Sequence, residues 1–202
     1  MTTNSINEDL AYLRSLTEGG SEANYRGLAE TYCWAGLVYG TEMFLHAMQM
    51  FGFLPRTNIV SLALGLGPSI IFVAGLAVII ARNPKTSSNF TARSVGAVFA
   101  AVGIGGLGLM AVVGAVALRE RSLATWLIYP CAIFILQGAA WLVSFGLRRR
   151  LWHGAVGAGW FVTGIGMAVS IAYMPGFVLF ASIGFIFCMA LPGFLLLRVQ
   201  AA

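Results

Sequence analysis

Six stretches of this chain, at 31–54, 58–81, 94–118, 123–146, 151–173 and 175–198, run for about 20 residues or more with almost no charge. That is the length a helix needs to cross roughly 30 Å of hydrocarbon. A backbone in lipid finds no water to bond, so segments of this kind must satisfy their amides internally, as helices do. The pattern therefore predicts an all-α polytopic membrane protein. A cytoplasmic tail with a short helix occupies 1–27, and a domain of six transmembrane helices occupies 28–202.

Composition points the same way. Charged residues make up 9% of the chain and hydrophobic ones 59%, against roughly 25% charged in ordinary soluble domains. The lipid bilayer must solvate most of such a surface. The net charge of +5 is scattered in short basic clusters between apolar runs, which fits topology signals and gives no nucleic-acid-binding face. Cys33, Cys131 and Cys188 each lie inside an apolar run, without metal spacing or an even disulfide framework. The polar, acidic first 27 residues are the reverse of a secretory signal, so the first membrane helix is expected to direct insertion.

The basic residues set an orientation. With a cytoplasmic N-terminus, the inner side holds Arg14, Arg26, Arg82, Lys85, Arg93, Arg148, Arg149, Arg150 and Arg198, and the outer side Arg56, Arg119 and Arg121. Nine against three places both termini in the cytoplasm. Within the tail, Ser5-Ile6-Asn7-Glu8 has the form of a capping box and Gly19-Gly20 supplies a stop, which predicts a helix over 6–18. Ile6, Leu10 and Leu13 would share one face of it.

The third and fifth runs are rich in glycine. Gly96, Gly106 and Gly108 are echoed by Gly154, Gly164 and Gly166 at a constant offset. Small residues let helix backbones approach closely where lipid gives no drive to associate, so both are expected to be packing helices, with faces left over for a homo-oligomer.

The chemistry, where there is any, concentrates in the first run. Tyr39, Glu42, His46 and Gln49 step by three, four and three residues, which lines four polar groups along one helical face. An ionisable pair at bilayer depth calls for a partner or a purpose. One reading makes Glu42 and His46 a proton site or a site for a small ion or solute. The other makes Glu42 a neutral hydrogen-bonding group that fixes packing. Met43, Met48 and Met50 beside His46 would suit a soft metal, but no second ligand cluster accompanies them, and neither a metal nor a cofactor is expected. In the second run Pro68, within Gly65-Leu66-Gly67-Pro68-Ser69, predicts a kink at mid-membrane, and interrupted helices at this depth expose backbone groups to substrate in transporters. Pro130 and Gln137 in the fourth run are a further candidate for the same cavity. Pro192-Gly193 reads as a breaker near the end of the last helix. No catalytic arrangement stands out, with only His46 and His153 as histidines and no nucleophile elbow.

The opening Glu8-Asp9-Leu10-Ala11-Tyr12-Leu13-Arg14-Ser15-Leu16-Thr17-Glu18-Gly19, followed by a first helix with a polar stripe, resembles a group of small bacterial multi-pass membrane proteins of uncharacterised activity. The resemblance covers about the first quarter of the chain and implies a bacterial inner-membrane protein. It brings no substrate and no site residue with it. The functional expectation is a transport or proton-linked protein centred on Glu42 and His46. The alternative is a non-catalytic membrane module that binds a partner protein or lipid.

Overall fold

The computed structural model describes residues 26–83 and 90–199. The tail helix expected over 6–18, and Lys85, lie outside them. All regular structure among the described residues is helical. It comprises α1 (Arg26–Met50), α2 (Asn58–Arg82), α3 (Phe90–Glu120), α4 (Leu123–Arg148), α5 (Leu151–Val169) and α6 (Met174–Phe185), the last continued by a π turn (Ile186–Ala190) and α7 (Leu191–Val199). Taking α6, the π turn and α7 as one rod, these are six helical units, as the apolar runs predict. Four helices, Asn58–Arg82, Ser94–Glu120, Leu123–Arg148 and Met174–Arg198, are long and apolar enough to cross a membrane. The other two are α1, which carries Glu42 and His46, and α5, which carries His153, Thr163 and five glycines.

The helix ends have local causes. The first run was expected to stay helical to Leu54, yet α1 stops at Met50 because Gly52 adopts φ +84°. Gly52 N–H bonds Gln49 O at 3.1 Å and Phe53 N–H bonds Met48 O at 2.9 Å, the two bonds of a Schellman cap. Thr57 then starts α2 by accepting from Val60 N–H at 3.3 Å, and Ser122 starts α4 by accepting from Thr125 N–H at 3.1 Å. The fifth helix was expected to run to 173 but ends at Val169, where Ser170 to Tyr173 fold into a turn. Pro175 follows in the first turn of α6, where its missing N–H costs nothing.

The helices pack in the spatial order α3, α4, α5, α6–α7, α1, α2, each against the next. Trp160, Phe134 and Met167 are the largest fully buried side chains. The Phe134 ring meets Trp160 and Phe185 edge-on at 4.7 and 5.1 Å between centroids, an arrangement favoured by the ring quadrupoles. Helix α1 meets the last rod backbone to backbone. A Cβ on Gly36 would collide with the backbone of Ala190, and one on Gly193 with the backbone of Cys33. Ser182 Oγ donates to Gly40 O across this seam at 3.0 Å.

Pro192 explains the π turn. It has no N–H for Cys188 O and its ring crowds that carbonyl, so the ladder widens and Leu191 N–H reaches back to Ile186 O. Read from the sequence, Pro192-Gly193 is a cheap breaker near a helix end. Both residues are in fact buried, and they shape the surface that α1 packs against.

Outside this core lie α2, with no buried residue, and α3, most of whose surface faces outward. Trp34 covers Gly75 and donates to Phe72 O at 3.4 Å. At the Arg26 end of α1, Asn83 Nδ2 donates to Glu30 Oε2 at 2.8 Å. Glu30 also takes a bond from Arg26 Nε at 2.9 Å, and these partners hold its carboxyl below the usual carboxylate range.

Candidate functional site

The polar stripe of α1 does not act as one unit. Glu42 and His46 stay together, with Glu42 Oε1 3.9 Å from His46 Nε2. The Glu42 side chain is 11% exposed and that of His46 25%. Among the described residues no hydrogen bond reaches the Glu42 carboxyl. It opens instead on a cavity of about 400 Å³ between α1 and α2. Thr41 and Glu42 are its polar lining. Gly67 and Pro68 form part of the facing wall, and aliphatic side chains such as Leu45 and Leu64 make up the rest. The cavity is a groove rather than an enclosed space, open along the side where Leu37, Thr41, Ala63 and Ile71 are exposed.

Each helix contributes this geometry for a local reason. The i, i+4 spacing stacks His46 one turn beyond Glu42. On α2, Pro68 supplies no amide hydrogen to Leu64 O, and Gly67 adds no side chain, so the wall opposite the carboxyl is thin and partly bare backbone.

Gln49 lies elsewhere, whereas Tyr39 stays within electrostatic reach of Glu42 and bonds Ser69, next to Pro68 on α2. The Tyr39 ring wedges between α2 and α6, 5.2 Å from Phe72 and 5.8 Å from Phe185. Gln49 is buried and donates from Nε2 to Pro55 O at 3.1 Å, while Arg56 bonds Gln49 O at 2.8 Å and Met50 O at 2.7 Å. Gln49 thus ties down the loop after α1.

Gln137 is not in the cavity either. It accepts from Tyr32 OH at 2.9 Å, within a group of rings formed by Tyr32, Phe99 and Trp141. Tyr32 is ten residues before Glu42, or about 15 Å along the helix. Met43 and Met50 pack against the hydrophobic core, and no group of three His, Cys, Asp or Glu side chains gathers among the described residues.

One buried polar pair escapes a reading by segments. His153 Nδ1 and Ser144 Oγ are 3.0 Å apart and both nearly inaccessible. The imidazole is sandwiched edge-on by Trp152 and Trp141, 4.0 and 5.3 Å between centroids. The pair bridges α4 and α5 across the turn at Arg149 and Arg150. Its trace in the sequence is a serine and a histidine flanking a short basic turn, which points to a locked hairpin only once the hairpin is known.

Chemically, the Glu42 cavity can do one thing well. A carboxyl in apolar surroundings can stay neutral by keeping its proton, or ionise when a cation or a protonated His46 compensates it. No family model matches this chain, and no curated protein or solved structure was found to be similar to it.

Proposed function

We propose that this chain is a proton-linked membrane transport protein whose exchangeable site is Glu42 assisted by His46. In this reading all six helical units cross a bacterial inner membrane, with both termini in the cytoplasm. The observation that carries it is a nearly buried carboxyl, deep in a helix of spanning length, with no hydrogen-bond partner among the described residues and a cavity beside it. A packing residue would use its oxygens on a neighbouring helix, as Gln137 does with Tyr32. Pro68 on the facing wall supports the same reading, since a broken helix is the common way to give a substrate room at mid-membrane.

The test is an infrared pH titration of the reconstituted protein beside Glu42→Gln. The expected result is a carboxyl band that is absent in the variant and titrates between about pH 5 and 8. A band that stays protonated throughout, in a variant that folds as the wild type does, leaves Glu42 a packing residue and overturns the proposal.

A second reading, a non-catalytic module that binds a partner protein, lipid or a second copy of itself, draws support from α3. Gly96, Gly103, Gly105 and Gly108 have open space where a Cβ would sit, and such a surface can seat another helix.

A further inference from the structure

The lining of the Glu42 cavity restricts what it can hold. An anion would face a carboxyl, with no lysine or arginine on the wall. A sugar or other neutral polar solute would find only Thr41 and Glu42 for its many donors and acceptors. A divalent metal ion wants six or more oxygens, and this wall supplies side-chain oxygen from those two residues alone. A cation clothed in hydrocarbon has none of these difficulties. It sheds little hydration, its body suits the aliphatic walls, and its charge meets the one acidic group there. The sideways opening past Leu37 and Ile71 gives such a molecule a route from the lipid. At about 400 Å³ the cavity has the size of an ordinary small-molecule site.

We infer that the cavity between α1 and α2 binds a lipophilic monovalent organic cation, a hydrophobic amine or quaternary ammonium, paired with the Glu42 carboxylate in exchange for a proton. The inference rests on the proton-exchange reading of Glu42 given above. The balance is simple. The carboxylic acid loses its proton, the carboxylate pairs with the entering cation, and one proton leaves to the medium by way of His46, the nearest base at 3.9 Å. No other bond changes. The charges on neighbouring elements stay at the helix ends and do not compete. Arg56 sits on the Gln49 and Met50 carbonyls, Arg82 ends α2, and Arg198 lies near the end of α7. Cys188 of the π turn points at Gly159 of α5. Tyr39 packs between Phe72 and Phe185 and bonds Ser69, and it is the tyrosine within electrostatic reach of Glu42.

The experiment measures tetraphenylphosphonium binding to the full-length protein in detergent, with proton release followed in weak buffer. Wild type is expected to release about one proton per cation bound. Glu42→Gln should bind at least about tenfold more weakly and release none. Gly67→Leu separates the site from the fold. A Cβ there meets nothing within 4 Å, so the helix accepts the change, while the leucine fills the cavity. It should weaken binding yet keep the titrating carboxyl band. Gly65→Leu, with equal room but outside the lining, should behave as wild type. Equal binding by wild type and Glu42→Gln, or by Gly67→Leu and Gly65→Leu, overturns the inference. A carboxyl band that titrates without any cation binding overturns the substrate class alone. A band locked in its protonated form overturns the proton reading and this inference with it.

Discussion

Helices α3 and α5 have similar glycine patterns in sequence and largely different uses in the fold, although Gly106 and Gly114 of α3 do meet Ile133 and Trp126 of α4. On α5, a Cβ added at Gly157 would lie 3.1 Å from Gly138 O, at Gly159 2.6 Å from Cys188 Sγ, and at Gly164 3.1 Å from Phe134 Cβ. On α3, the same addition at Gly96, Gly103, Gly105 or Gly108 meets nothing within 4 Å. The difference is one of position. Helix α5 lies between α4 and α6 and offers each a face, whereas α3 meets α4 along one side. A small residue therefore brings helices together only where a neighbour presents backbone or a side chain closely to it. The glycine itself does not say whether that neighbour exists.

The comparison is most exposed to Gly157→Leu. Gly138 and Gly157 place their backbones against each other where α4 crosses α5, so a leucine there must push the two helices apart. The expected loss of stability is about 3 kcal/mol, read by denaturation in detergent micelles. A loss below about 1 kcal/mol, the ordinary scale of a point substitution, would mean that the inner seam is looser than its contacts indicate.

A smaller effect is expected at the outer helix α2, which has no buried residue and is pinned near its ends. Arg56 holds the Gln49 and Met50 carbonyls at the end of α1, and Asn83 holds Glu30 at the other end. A cation on the last carbonyls of a helix stabilises it. Arg56→Ala should cost about 1 kcal/mol and speed hydrogen exchange in the last turn of α1. A cost equal to that of Gly157→Leu would show that the outer helices are held as firmly as the inner ones, and the contrast would fail.

How much of this the sequence discloses follows from range. The helical units, their count and most of their ends come from runs of apolar residues and local caps, and these signals act within a few residues. Glu42 and His46 are legible together because they share one helix face. Which neighbour that face meets depends on the whole packing order, so the split of Gln49 from Glu42 is invisible along the chain. Pro130 and Gln137 read along the chain as a further candidate for the Glu42 cavity, but Gln137 accepts from Tyr32 OH instead. The π turn is hidden for a related reason. Pro192 announces a fault in the helix, yet only the approach of Gly36 shows that the fault is a docking surface.

The smallest effect separates the two glycine helices most directly. Gly103→Leu on α3 enters open space, and leucine is a better helix former than glycine by somewhat under 1 kcal/mol. Within a single copy the substitution should cost nothing and at most stabilise the chain by that amount. Native mass spectrometry of the same variant then reads what covers α3. If wild type and variant are both monomeric, the open glycines face lipid and the contrast with α5 is complete. If wild type is a dimer and the leucine disperses it, α3 is a packing helix after all, with its partner backbone on a second copy. The two helices would then obey one rule, that glycine is used where a neighbouring helix approaches closely, and would differ only in which chain supplies the other side.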